Sequence, residues 1–194
     1  MPTELQTPVL LLATPQVLDP FFRQSVVLLL QHSEEGSIGF IINRTTGLRV
    51  AEILDGLEIA WRGDQGEAAF FGGPVQPQLG TVLFHRSADD RIAVDEETVT
   101  ELLPGLLMTQ HIASLAALAA EPPGFFRFVL GYAGWGEGQL TAEIERNDWL
   151  LTPPTQELLF ATDPGIVWSS AMRAAGVDLE NLGVWLADDG STVN

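Results

Sequence analysis

Apolar residues come in short unbroken runs through the first half of the chain and in helical stripes through the second. PVLLLAT (8–14) and SVVLLLQ (25–31) lack polar alternation, which predicts strands buried on both faces. Between them, PQVLDPFFRQ (15–24) carries two prolines and predicts a crossing loop. HSEEGS (32–37) predicts a hairpin connection into a strand at IGFIIN (38–43), and RTTGL (44–48) reads as a turn. A short helix is expected over Val50–Leu57, with Val50, Ile53, Leu54 and Leu57 on one face. AAFFGGPVQP (68–77) reads as a breaker-rich crossing, GTVLFHR (80–86) as a strand, and 87–101 as mostly loop. The clearest helix covers Gln110–Ala120, with Thr109 as N-cap and Ile112, Leu115, Ala116 and Ala119 as its stripe; EPPG (121–124) ends it. FRFVLGY (126–132) predicts a further strand. Residues 139–147 fit both periods, and a helix is favoured. The last helix is expected to start at Asp163–Pro164 and to stop near Gly176. Strands early and helices late make one α+β domain over 1–194.

Composition narrows the function. The formal net charge is −17, and all nine basic residues are arginine. Such a surface repels nucleic-acid phosphates and anionic membranes, so partners are expected to be neutral or basic. Cysteine is absent, which removes thiolate nucleophiles, disulfides and Cys-ligated metals. No basic residue precedes Arg23, and no apolar run reaches the roughly 20 residues a bilayer demands. The chain therefore reads as cytoplasmic, without a secretory leader.

Three segments, taken in order, carry a resemblance. PQVLDPFFRQSVVLLLQHSEEGSIGFIINR (15–44), FFGGPVQP (70–77) and GYAGWGEGQLTAEI (131–144) resemble the characteristic segments of the bacterial YqgE/AlgH family. The similarity runs from about residue 8 to about residue 176. It implies a single domain of curved, barrel-like β-sheets flanked by helices. One branch of the family carries the name of a transcriptional regulator of alginate synthesis. The resemblance brings no defined reaction, agreed ligand or established active-site residues. The tail LGVWLADDGSTVN (182–194) departs from the family's usual short Gly-His-Ala-like ending.

The candidate chemistry therefore rests on the residues themselves. Gly131, Gly134, Gly136 and Gly138 frame Tyr132 and Trp135. Glycines serve where a backbone turns sharply or passes close beneath a ring, and this structural use is favoured. A Gly-rich loop before a helix can also cradle an anion, but Glu137 and the lack of a following lysine count against that. A third use is the rim of an apolar groove around Tyr132 and Trp135. Gly72 and Gly73 in FGGPV pose the same choice. If the two glycine segments converge, their shared surface is the best ligand-site candidate.

Asp19–Pro20–Phe21–Phe22–Arg23 offers aromatics and an arginine that suit a partner anchor. The competing reading, which is favoured, has Phe21 and Phe22 plugging the sheet while Arg23 pairs with Asp19. His32, His85 and His111 are far apart and match no metal or nucleophile motif, so no metal, cofactor or catalytic residue is assigned. The acidic run Asp89, Asp90, Asp95, Glu96, Glu97 and Glu101 lacks the EF-hand spacing and reads as a solvated loop. The expected function is non-enzymatic binding of a protein or small ligand, with any regulation of transcription exerted indirectly. The alternatives are a hydrolase using His85 or His32 with a carboxylate, and a DNA-binding regulator, which the charge disfavours.

Overall fold

A computed structural model describes residues 5–87, 94–161 and 163–179. In chain order its strands are β1 (Val9–Ala13), β2 (Val26–Ser33), β3 (Gly36–Ile41), β4 (Thr45–Arg49), β5 (Ala68–Phe71), β6 (Val75–His85), β7 (Thr100–Leu103), β8 (Leu106–Thr109), β9 (Phe126–Trp135) and β10 (Trp149–Thr152). The helices are α1 (Val50–Asp55), α2 (Ile112–Ala120), α3 (Gln139–Glu145) and α4 (Pro164–Ala174). A 3₁₀ turn covers Glu96–Thr98 and a π-helical turn covers Glu157–Ala161.

The main strand path runs β10-β1-β2-β3-β9-β6-β8-β7, antiparallel throughout, and curls into a half-barrel. β5 joins as a branch, antiparallel to β4 and parallel to β9. The fold is α+β. β9 is its spine. Its first half pairs with β6 and β5, whereas Ala133–Trp135 pairs with β3. The change of partners falls beside Gly131, whose φ of 69° only glycine adopts readily.

The unbroken apolar runs follow from two-sided burial. Leu10 and Leu12 face one core with Val26, Leu28, Phe40, Leu83, the π-helical turn and α4. Leu11 and Ala13 face another with Val27, Leu29, Ile41, Trp135 and Trp149, covered by Leu140 of α3. A third core seats α1 and α2 on Val82, Phe84 and Phe128.

Several local expectations need correction. RTTGL is strand β4, and AAFFGGPVQP holds β5 and the start of β6. The breakers misled because β6 is irregular between Val75 and Gly80, where Pro77 has no ladder donor to lose. The supposed loop at 87–101 contains the 3₁₀ turn and enters β7; β8 and β10 were not anticipated. Four-residue strands are too short to show a period. Helix α2 is capped at His111, because the Thr109 hydroxyl donates to the Thr98 carbonyl at 2.7 Å while accepting from the His111 N–H. Its buried stripe is Ser114, Leu115, Leu118 and Ala119, with Ile112 exposed. Residues 139–145 are helical, and α4 starts at Asp163–Pro164 and ends before Gly176 (φ 82°), both as expected. Asp89, Asp90 and the divergent tail lie outside the described residues.

One core charge stands out. Arg127 on β9 is 5% exposed, lies 4.0 Å over the Phe70 ring, and donates from Nε to the Leu159 carbonyl at 2.5 Å. Burial pulls its pKa down to about 10, and the Glu67 charge offsets this only in part. A base whose pKa is lowered by folding binds its proton more weakly in the native state. The penalty is therefore full below pH 10 and fades as pH rises toward the unfolded value. Its size is about 3 kcal/mol. Arg127→Met is expected to raise unfolding stability by about 1 kcal/mol at pH 7, after subtracting the lost hydrogen bond. Urea titration checks this, and a loss of stability would show that the Leu159 bond and the Phe70 contact outweigh desolvation.

Candidate functional site

The two glycine segments converge, and the reason is backbone contact. A Cβ on Gly72 would stand 2.3 Å from the Gly131 carbonyl oxygen, and one on Gly131 would stand 2.5 Å from the Gly73 oxygen. One on Gly73 would meet the Tyr132 carbonyl at 2.2 Å. The expected glycine loop is therefore a correction. Gly131, Tyr132, Gly134 and Trp135 belong to strand β9, packed edge to edge against the chain that links β5 to β6. Only Gly136–Gly138 form a turn. There the Gly136 N–H donates to Gln139 Oε1 at 3.1 Å, and Gly138 adopts φ 66° as the residue before α3.

Tyr132, the chain's sole tyrosine, is where this packing meets open space. It stands between two cavities. The first, of about 420 Å³, is lined by residues of β2, β3, β6, β7, β8 and β9. Its apolar walls come from Leu30, Ile38, Phe40, Leu79, Leu102 and Met108, and its polar groups are Tyr132, Gln31, Gln76 and Gln110. No described residue lining it carries a charge. Gln110 is fixed by donating from Nε2 to Thr81 Oγ1 at 2.8 Å, which leaves its carbonyl oxygen without that duty. Gln76 sits at φ 45°, an uncommon conformation for a residue other than glycine and one that concentrates at ligand sites.

The second cavity, of about 380 Å³, lies beyond Tyr132 and is bounded by Ser33, Glu35, Ser37, Gly134 and Trp135. Ser37 is buried, and its Oγ lies 2.7 Å from His32 Nδ1. His32 stands in β2 rather than in the hairpin turn, and its described hydrogen bond is to this serine, not to a carboxylate. His85 ends β6 with its ring edge-on to Phe125 at 6.1 Å.

The Asp19–Arg23 turn lies elsewhere. Phe22 packs 5.9 Å from both Trp135 and Trp149, so it does plug the sheet. Phe21 stacks on Phe71 and stays 47% exposed. The expected Arg23–Asp19 pairing is corrected: Asp19 Oδ1 accepts the N–H groups of Phe21 and Phe22, which fixes the turn. In the acidic run, Asp95 caps the 3₁₀ turn, Glu96 pairs with Arg86 at 2.6 Å, and Glu101 accepts from the Gly105 N–H.

Gln31, Gln76 and Gln110 were missed by sequence reasoning. Gln31 lies on β2, Gln76 on β6 and Gln110 in the link between β8 and α2, and neutral amides carry no spacing signature. The one available signal was Gln76 following GGPV.

Comparison with known proteins shows the family and its fold. Residues 10–180 match the family model described as AlgH-like, DUF179. A UPF0301 protein of Myxococcus xanthus is 41% identical over 172 residues, covering 88% of this chain and 91% of that protein. A UPF0301 protein of Idiomarina loihiensis is 35% identical over 178 residues, covering 90% and 93%. The solution structure of the AlgH protein from Pseudomonas aeruginosa superposes with a TM-score of 0.72 at 34% identity, across 100% of both chains. A Corynebacterium diphtheriae crystal structure, at 24% identity and a TM-score of 0.71 over 89% and 88% of the two chains, shares the fold. Sequence match, coverage and shared half-barrel agree, and the chain belongs to the AlgH-like family of UPF0301 proteins.

Proposed function

We propose that the protein acts by binding, and that its ligand is a neutral, apolar-bodied small molecule held in the larger cavity beside Tyr132. The observation that carries this reading is the lining. In a chain with 26 acidic residues, none of the described residues around about 420 Å³ of apolar-walled space is charged, and amide and phenol groups are set around it. Ligand pockets combine that size with an apolar body and a few convergent polar groups. The left-handed Gln76 at the rim adds to the argument. In this reading the protein is cytoplasmic and non-enzymatic, and any effect on transcription passes through a protein partner. A net charge of −17 sets DNA phosphates against direct contact.

The test uses a dye pair. The neutral dye N-phenyl-1-naphthylamine should bind, and the anionic 8-anilinonaphthalene-1-sulfonate should bind at least about tenfold more weakly, a difference of 1.4 kcal/mol. Leu79→Trp, which fills the cavity, should abolish neutral-dye binding while leaving the fold intact by circular dichroism. Equal binding of both dyes, or no loss in Leu79→Trp, would overturn the assignment.

A second reading rests on the 2.7 Å contact between His32 and Ser37 at the other cavity. A histidine beside a serine is the core of a hydrolase nucleophile. Labelling of Ser37 by a fluorophosphonate would favour it, and the binding reading expects none.

A further inference from the structure

Among the described residues, three arginines form ion pairs with carboxylates, and two others are grouped differently. Arg49, Arg86 and Arg146 each sit on a carboxylate, Glu52, Glu96 and Asp148, at 2.5–2.6 Å. Arg23 and Arg44 are instead placed beside each other. Together they line a cavity of about 390 Å³, between the turn that ends at Gln24 and the first turn of α4. The other described residues lining it are Gln24, Asn43, Pro164, Gly165, Trp168 and Ser169, and none of these is a carboxylate.

The arrangement is braced. Arg44 donates from Nη1 to the Pro20 carbonyl at 2.7 Å and from Nη2 to the Arg23 carbonyl at 2.5 Å, so its guanidinium is locked in orientation. Asn43 holds the facing strand by donating to the Gln24 carbonyl at 2.9 Å and accepting from the Val26 N–H at 2.8 Å. Gln24 is kept at φ 55°, a second left-handed residue other than glycine at a cavity wall. Strained backbone of this kind gathers at ligand sites. Trp168 is fixed by its indole N–H on the Ala13 carbonyl at 2.8 Å.

Among the described lining residues the two arginines have no carboxylate to balance them. Burial and the adjacent Arg23 both push the Arg44 pKa below its ordinary value, and Asp19 opposes them weakly. Asp19 Oδ1 accepts the Phe21 and Phe22 N–H groups, which sets its charge along the turn, outside the described cavity lining. Asp163 accepts from the Gly165 N–H and is likewise not among the described lining residues, so the charges that face the cavity are those of the two arginines. Two like charges held together disfavour each other until an anion bridges them. Guanidinium forks suit oxyanions with several acceptor oxygens.

We propose that Arg23 and Arg44 form a site for a phosphate group, with Trp168 as the flat wall on which the organic part of a phosphate monoester would lie. The site shares no residue with the neutral cavity, so the two assignments stand or fall separately.

Titration of the whole chain at low salt, followed by ¹H–¹⁵N spectra, tests it. The probes are inorganic phosphate, phenyl phosphate and phenol. Saturable shifts of the Arg23 and Arg44 Nε–H signals and of the Gly165 and Ser169 amides are expected with both phosphates and not with phenol. Arg23→Gln is the variant of choice, because Arg44 also holds the turn. It should weaken phosphate binding at least about tenfold while leaving the rest of the spectrum unchanged. Tighter binding of phenyl phosphate identifies an ester as the ligand, and equal binding identifies free phosphate. Absence of saturable shifts, or an Arg23→Gln titration like that of the wild type, would overturn the proposal.

Discussion

Gly73→Ala is expected to leave little or no folded protein. At Gly73 φ is 151°, where a side chain is strained by about 1–3 kcal/mol before any contact is considered. The added Cβ would also lie 2.2 Å from both the carbonyl carbon and oxygen of Tyr132, and 2.3 Å from the Ala133 N atom. These are backbone atoms of the central strand and cannot swing aside. Relief would require parting the link between β5 and β6 from β9, and β9 joins both halves of the sheet. The combined cost should exceed about 4 kcal/mol, a large share of the stability of an ordinary domain. Gly124→Ala is the internal control. No atom lies within 4 Å of its added Cβ and its φ is not left-handed, so it should be neutral or gain up to about 1 kcal/mol. Urea unfolding of both variants makes the comparison. A Gly73→Ala protein within about 1 kcal/mol of wild type would contradict the close-packing account of these glycines.

The second large effect is expected at Glu143. Its Oε2 accepts the indole N–H of Trp135 and that of Trp149, both at 2.8 Å, and its Oε1 accepts from Gln139 at 2.9 Å. The two tryptophans are 5% and 4% exposed and cross edge to face at 6.0 Å, with Phe22 against both. Glu143→Leu would leave two buried donors without an acceptor, each at about 1–3 kcal/mol. A loss of about 3–5 kcal/mol follows, with a change in tryptophan fluorescence because the ring environment is altered. Glu143→Gln retains a carbonyl able to accept both indoles and should lose only about 1 kcal/mol. If the leucine variant is as stable as the glutamine one, the carboxylate is not what seats the rings. This cluster also explains why Phe22 is drawn inward while Phe21 is left half exposed.

Much of the scaffold was legible along the chain. VLLLA and VVLLL announce strands buried on both faces because an unbroken apolar run has no side to give to water. Asp163–Pro164 and Gly176 mark the ends of α4 through chemistry that is local to each end: a side-chain cap, a fixed φ and a left-handed residue. The family resemblance was equally legible, because GGPV and the glycine–tryptophan segment are distinctive strings. The strands β4, β7, β8 and β10 were not readable, since four or five residues carry no resolvable period and their identity comes from the neighbour they pair with.

The glycines mark the boundary between the two kinds of information. Sequence alone determined that Gly72, Gly73 and Gly131 needed backbone freedom or space, since glycine is the residue that supplies both. Tertiary structure alone decided which. The three lie together because β5 runs parallel to β9 across some sixty residues of chain, from Phe70 to Val129, and a contact of that range leaves no trace in local composition. The cavities are of the same kind. Gln31, Gln76, Gln110 and Tyr132 become neighbours when the sheet curls, and so do Arg23 and Arg44 across the turn before β2. The chain's own pattern sets which segments are strands and where helices stop. Curvature and pairing, which are properties of the whole sheet, set what those strands enclose.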